Sequence, residues 1–322
     1  MNRQPFRQGE KVLVTGARGF LGSHLCRRLL ECGAEVHAIS RSTESSPFNH
    51  LTWWQVDLED FSATKGLLSR IKPDVIYHLS GHVTADPDIR QVLPTFRSLL
   101  LTTVQLLTIA TEIGCRRVVL TASLTEPQTG QFDSAPGSPY AAAKWASNAF
   151  GRMFHKLYHV PVVIVRPFMV FGPNQNQAKL IPYSIRSLIR GEQPRLASGE
   201  WRADWIYVDD VTEGLLAAAE VADIEGFTID LGSGQMVKAE AIIRQIIGLL
   251  GSSIEPQFGA LPDRPSEEIR VADLEHAFRV LGWRPNTSLN EGLKRTVDWH
   301  LASSVGKSLG PETGTVSRRT AS

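Results

Sequence analysis

The chain has 322 residues, enough for one large domain or two modest ones. Lys and Arg number 34 against 33 Asp and Glu, a net charge of +1, which argues against a protein that coats nucleic acid or an anionic membrane. The three cysteines (Cys26, Cys32, Cys115) form no CxxC pair, so no disulfide scaffold or Cys-rich metal site is expected, and a cytoplasmic location is.

The polar start, residues 1–8, holds no signal-like apolar stretch, and no apolar run reaches about 18 residues, so no membrane span is expected. Residues 11–15 read as an apolar strand, followed at once by a glycine turn and a helix. In that helix Leu21, Leu25 and Leu29 recur at i, i+4 and i+8, and Gly33 stands where a C′ glycine closes a helix. Further strands are expected at 35–40, 51–56, 75–79, 118–120 and 162–165, with helices at 99–113 and 140–158. This alternation predicts an α/β fold, a Rossmann-type doubly wound parallel sheet covered on both faces. After Pro167 the rhythm changes. Residues 10–168 read as the dinucleotide domain, joined by strands returning within 205–232. Residues 169–204 and 233–302 read as a smaller, interleaved C-terminal substrate lobe, and 303–322, rich in Ser, Thr and Gly, as a disordered tail.

The turn Thr15-Gly16-Ala17-Arg18-Gly19-Phe20-Leu21-Gly22 spaces its glycines three and three between strand and helix. The first permits a sharp turn, the second lets backbone approach a pyrophosphate, and the third lets helix pack on strand. The helix N-terminus favours the phosphate charge. NAD sites usually carry an acid at the end of the second strand for the ribose 2′-OH, but this chain has Ser40 followed by Arg41. Arg41 and Arg18 suit a 2′-phosphate, so NADP(H) is expected over NAD(H), which stays open. Asp57-Leu58, after the third strand, suits an adenine contact.

Tyr140 and Lys144 stand four residues apart, on one helix face. A phenol near pKa 10 is too weak a base at neutral pH. A neighbouring cation, with the positive nicotinamide ring of an oxidised cofactor, lowers it, so that Tyr140 can exchange a hydroxyl proton while hydride moves to or from that ring. The preceding strand ends in Thr121-Ala122-Ser123, which supplies a hydroxyl at the C-terminal sheet edge.

These residues resemble an extended short-chain dehydrogenase/reductase of the nucleotide-sugar epimerase/dehydratase group. The resemblance runs over roughly residues 10–300. It includes the glycine turn, Asp57-Leu58, His78-Leu79-Ser80-Gly81, Ser123, Ser138-Pro139-Tyr140 with Lys144, Arg166-Pro167, 170–173, 205–210, 231–234 and 281–285. It implies that Tyr140 is the acid/base, Lys144 its partner and Ser123 the hydroxyl that holds the substrate oxygen. It also places Leu79, Ser80, Gly81 and Pro167 at the cofactor, and it implies a homodimer built from the two long helices.

The departures narrow the activity. Family dehydratases carry an acid two places after the catalytic hydroxyl, where this chain has Thr125; Glu126 is one place late and could take the role in a shifted register. The VYG that usually follows is replaced by Glu126-Pro127-Gln128. The family asparagine that contacts substrate is Met169. Leu180, in Lys179-Leu180-Ile181-Pro182, lies in the segment that covers the nucleotide base. The arginine usual beside Asp204 is replaced by Ala203, leaving Arg202, Arg264 or both for a diphosphate. The activity these features imply is hydride transfer at C4 of a nucleoside-diphosphate sugar. The arginines tip the reading towards a 4-ketoreductase, with a 4-epimerase, a non-sugar carbonyl reductase and a non-catalytic cofactor-sensing protein as alternatives. His78 and His82 read as structural, Asp209-Asp210 as a helix N-cap and its neighbour, and no metal or nucleic-acid partner is expected.

Overall fold

The computed structural model describes residues 6–41, 51–84, 86–126, 135–263 and 270–308. Seven parallel strands form the main sheet in the order β3-β2-β1-β4-β5-β6-β9. In chain order these elements are β1 (Lys11–Thr15), α1 (Phe20–Glu31), β2 (Glu35–Ser40), β3 (Thr52–Gln55), α2 (Phe61–Ile71) and β4 (Val75–His78). After β4 come α3 (Val92–Thr95), a wide π turn (Phe96–Leu101), α4 (Thr102–Ile113), β5 (Arg117–Thr121), α5 (Pro139–Tyr158) and β6 (Val162–Pro167). The chain then runs through β7 (Met169–Phe171), α6 (Leu180–Ile189), β8 (Arg202–Tyr207), α7 (Val208–Glu220), β9 (Thr228–Leu231), β10 (Met236–Lys238), α8 (Ala239–Leu250), α9 (Leu274–Leu281) and α10 (Leu289–Ser308).

The main sheet is doubly wound because its strands are apolar on both faces. Val12, Val14, Val75 and Tyr77 pack into a core with Leu25, Leu29 and Leu215. Their neighbours Leu13, Ile76, Leu120 and Ile164 pack on the opposite side with Leu68, Leu107 and Phe154. Each such side chain withdrawn from water contributes about 1.5–3 kcal/mol. The strand order reverses between β1 and β4, whose C-terminal residues Thr15 and His78 lie side by side. That edge is where an open α/β sheet has its crevice. Helix α1 ends as Gly33 suggests: its φ is +81°, and Ala34 N donates to Leu29 O at 3.1 Å.

Three expectations change here. Of the two strands read as returning to the main sheet, β9 pairs with β6, but β8 is the middle of a separate three-stranded sheet, β10-β8-β7. Its Ile206 faces the main core, while Trp205 and Tyr207 face the core of the smaller lobe with Phe171, Ile185, Ile242 and Leu293. The helix expected from Leu99 begins earlier, at Val92, and passes through the π turn. From Ile89 to Ile113 this stretch is long and apolar enough to cross a membrane by length and composition alone. In this fold its Leu106, Leu107 and Ile109 are buried in the core beside α2 and α5. Residues 303–308, expected to belong to a disordered tail, are helical at the end of α10; residues 309–322 lie outside the described residues.

Candidate active site

Two loops meet at the β1/β4 edge. Gly16 has φ +71°, and a Cβ there would lie 2.8 Å from the Leu79 carbonyl carbon and the Ser80 nitrogen. A Cβ on Gly22 would lie 2.1 Å from Gly16 O, so α1 can pack against the turn only with glycine there. Thr15, fully buried, fixes the facing loop: its Oγ1 accepts from Leu79 N and Ser80 N at 3.2 Å each and bonds His78 Nδ1 at 2.9 Å. Helix α1 starts at Gly19 with no side-chain cap, leaving its first N–H groups to an anion. This cradle, which any Cβ would fill, fits a dinucleotide pyrophosphate. Phe20 and Leu21 pack on the smaller lobe's core and lock the two lobes together beside the turn.

At the sheet edge, Ser40 ends β2 opposite Gln55, and the Gln55 amide donates to Arg41 O at 3.2 Å. The Arg18 guanidinium lies over the Trp53 ring, 4.9 Å from its centroid. Asp57 is exposed and accepts from Glu59 N, whereas the Leu58 side chain is buried in the core. Gly81 follows Ser80 on the exposed rim, and Pro167 closes β6 opposite Leu231.

The second half of the site lies between β5 and α5. Ser138 caps α5 by accepting from Ala141 N at 3.2 Å, and Pro139 suits the first helical position. One turn separates Tyr140 from Lys144, and another brings Asn148 to the same face. The Tyr140 and Ser123 side chains are hydrogen-bonded to each other. Ser123 Oγ lies 2.9 Å from Thr125 Oγ1, so Ser123, Thr125, Tyr140 and Lys144 converge on one corner.

Lys144 donates to Thr121 O at 2.8 Å and to Thr121 Oγ1 at 3.0 Å. Burial pushes its pKa down to about 8, against the Glu126 carboxylate, which favours the charge. Burial raises the Tyr140 phenol above its usual value, the Ser123 hydrogen bond opposes this, and Glu126 adds to the rise. Within the protein the Lys144 ammonium is turned to the β5 backbone, and burial is the largest influence on the Tyr140 phenol. His78, pushed down to about 3 by burial and the Lys144 charge, is neutral.

Sequence reasoning did not assign three residues of this corner. Thr121 receives Lys144. Glu126, 3% exposed, accepts from Ser123 N and Asn148 Nδ2, both at 2.6 Å. Asn148, 1% exposed, offered only its helical spacing from Tyr140 as a signal.

The expected substrate residues are spread along the smaller lobe. Met169 pairs in register with Trp205, Leu180 opens α6, and both pack partly buried on that lobe's core. Arg202, at the start of β8, lines a small cavity with Leu124, Phe168, Trp201 and Arg270, which brings it beside the Ser123 turn. Arg270 was missed as one charge among several in its loop. Arg264 lies outside the described residues. Asp204 anchors this wall by accepting from Ser233 N and Oγ at 2.6 and 2.7 Å and from Gly234 N and Ala272 N at 3.0 Å each. Asp209 and Asp210 are not a helix cap. They lie in the first turn of α7, where Asp210 accepts from Asn286 N and Thr287 N and Asp209 meets His24.

Over residues 12–232 the chain matches the NAD dependent epimerase/dehydratase family. The chain belongs to this family. It is 30% identical over 314 residues to a UDP-glucose 4-epimerase of Mycolicibacterium smegmatis, covering 90% of this chain and 98% of the relative. It is 27% identical to a dTDP-glucose 4,6-dehydratase of Haemophilus influenzae, covering 91% and 98%. The structure of UDP-glucuronic acid 4-epimerase from Bacillus cereus with UDP-glucuronic acid and NAD matches with TM-score 0.81 at 26% identity, covering 91% of this chain and 99% of that one. The extended short-chain dehydrogenase/reductase resemblance therefore holds, and the chain is an NAD(P)-dependent enzyme of the nucleotide-sugar epimerase/dehydratase type.

Proposed function

We propose that the enzyme is a nucleotide-sugar 4-epimerase acting on a UDP-sugar. The observation that carries this is the convergence of the Ser123 hydroxyl, Tyr140 and Lys144 on one corner at the head of α5. Ser123 holds the C4 oxygen, and Tyr140 takes the hydroxyl proton in oxidation and returns it in reduction. The dinucleotide, held by Gly16, Gly19, Gly22 and the Leu79–Ser80 backbone, supplies hydride acceptance and return at C4. Met169, Leu180 and the arginines Arg202 and Arg270 line the sugar-nucleotide side, with Arg264 as a further diphosphate ligand.

Dehydration is disfavoured at the residue level. Thr125 replaces the eliminating acid, and Glu126 is occupied by Ser123 N and Asn148 instead of standing free in a shifted register. The relatives named 4-epimerases support the same reading. A second reading, an NADPH-dependent 4-ketoreductase, is favoured by one observation: Ser40 ends β2 and Arg41 follows it with no acid there, while Arg18 lies over Trp53 of the neighbouring β3.

One experiment separates them. The purified protein is denatured and any released dinucleotide identified, then the native protein is offered UDP-glucose and followed by NMR. Bound NAD with UDP-galactose formation supports the epimerase. Empty protein that oxidises NADPH with a 4-keto sugar supports the reductase. Neither activity, with no UDP binding, removes both and leaves the non-sugar carbonyl reductase or the cofactor-sensing protein.

We also infer a homodimer across α3–α4 and α5, supported by the exposed side chains Leu93, Phe96, Trp145 and Phe150 on those helices. Light scattering at twice the chain mass is the expected result. The three unpaired cysteines suit a cytoplasmic setting.

A further inference from the structure

Glu126 is a carboxylate where the fold has every reason to place an apolar side chain. It is 3% exposed, lies against α5 and stands three residues from Ser123. Burying a carboxylate is costly unless donors or a cation repay its lost hydration. Two donors, Ser123 N and Asn148 Nδ2, reach the same oxygen, Oε1, at 2.6 Å. Asn148 is itself 1% exposed and sits one helical turn beyond Lys144. The carboxylate thus bridges the Ser123 turn and the face of α5 that carries Tyr140 and Lys144.

We propose that Glu126 is a positioning residue of the hydride-transfer site: its buried carboxylate ties the Ser123 turn to α5 through Asn148 and sets a negative charge beside the turn of that helix where Thr121 holds Lys144. This rests on the hydride-transfer reading given above. Among the described residues, the ionisable groups around this corner are Tyr140 and Lys144 of α5, His78 of β4 and, across the small cavity at Leu124, Arg202 of β8 and Arg270. His78 is neutral throughout the working range. The Glu126 charge raises both Lys144 and Tyr140, so it keeps the first a cation and the second a phenol to higher pH.

The test is Glu126→Gln, whose amide oxygen can still accept both donors while the charge is gone. Two readouts are taken on the full chain. The first is thermal unfolding without substrate. The Gln variant is expected to melt below wild type at pH 6.5, with the deficit shrinking by pH 9.5, because Lys144 in folded wild type has then lost its proton and its need of a counter-charge. A deficit equal at both pH values overturns the proposal. The second is the pH profile of turnover, in which both limbs are expected to move to lower pH by about one unit; an unmoved profile overturns it.

Asn148→Ala keeps the charge and removes one tether. It is expected to lower kcat with the limbs in place, and limbs shifted as far as in Glu126→Gln would mean a merely structural effect and overturn the proposal. If Glu126→Gln does not fold, Glu126→Asp takes its place. It keeps the charge on a shorter arm, so its melting deficit is expected to be the same at both pH values, and a deficit that shrinks overturns the proposal. If wild type turns over no nucleotide sugar, the hydride-transfer reading fails, while the melting comparison still decides the role of Glu126.

Discussion

The two halves of the site are built from different material. At β1–α1 the chain offers backbone: a left-handed Gly16, a first turn of α1 that no side chain caps and a Gly22 that no larger residue could replace without moving Gly16 O. At β5–α5 it offers side chains, with Ser123, Glu126, Lys144 and Asn148 all below one-tenth exposed and hydrogen-bonded to one another or to β5. Binding a phosphate needs dipoles at fixed places, which the backbone supplies. Moving a proton needs a group that titrates, which only a side chain supplies. The first half should therefore fail when shape changes and the second when a single atom is removed.

The largest effect tests the second half. Tyr140→Phe keeps the ring and removes one oxygen. It should lower kcat by about 10³-fold, within the range for loss of a general acid–base group. Fluorescence titration should find dinucleotide affinity within about twofold of wild type, and the melting temperature should barely change. Unchanged turnover would remove Tyr140 from the chemistry. The mirror experiment in the first half is Gly22→Ala. Its added methyl meets a backbone oxygen at 2.1 Å, so it should destabilise the fold by about 1–3 kcal/mol and weaken dinucleotide binding in the same titration. A Gly22→Ala protein that binds as tightly as wild type would show that shape is not what the turn supplies.

The side-chain half should also show in how stability depends on pH. The folded Lys144 has a pKa of about 8, below its unfolded value near 10.4. Between those values the unfolded chain binds the extra proton, so this residue's contribution to stability rises with pH through that window and is lowest, a net penalty, below pH 8. Lys144→Met removes the titrating group. The difference in melting temperature between variant and wild type should therefore favour the variant most at pH 7 and shrink towards pH 10. A difference that does not vary with pH would mean the lysine is not buried as a cation.

How far this was legible in the sequence follows from the same contrast. The glycine turn was readable from its spacing between a strand and a helix, and the Tyr140/Lys144 pair from its four-residue interval together with the Ser123 hydroxyl after the preceding strand: a turn that needs left-handed backbone must use glycine, and one helical turn fixes the interval. Strands β1 and β6 were readable from the uninterrupted apolar runs at their centres. The same signal misplaced β8. Its Ile206 belongs to the main core, and Trp205 and Tyr207 belong to the other, so it is buried on both faces and no period says which sheet it joins. Glu126 had to be placed by register. One residue of slip separates an acid standing over the substrate from one folded back on Ser123 N, and only the turn geometry decides between them. Asn148 and Arg270 came together with the site through tertiary packing, and nothing in their own neighbourhoods announced it.

The smallest expected effect concerns the one place where backbone and side chain share a task. Arg18 lies inside the glycine turn, yet its guanidinium is held over Trp53 at the third strand. A cation stacked on indole keeps its charge, and on the ketoreductase reading it would receive a 2′-phosphate. Arg18→Ala should weaken NADPH by about tenfold, the value of one charge-assisted contact, and leave NADH nearly unchanged. Trp53→Leu should show a fainter version, a loss of about two- to fivefold in NADPH affinity that matches an exposed cation–π contact. Both losses should fade as salt is raised, since a phosphate contact at the rim is screened. If Arg18→Ala weakens NADH and NADPH equally, the arginine serves the pyrophosphate that both share, the reductase reading loses its structural support, and the turn returns wholly to the backbone side of the comparison.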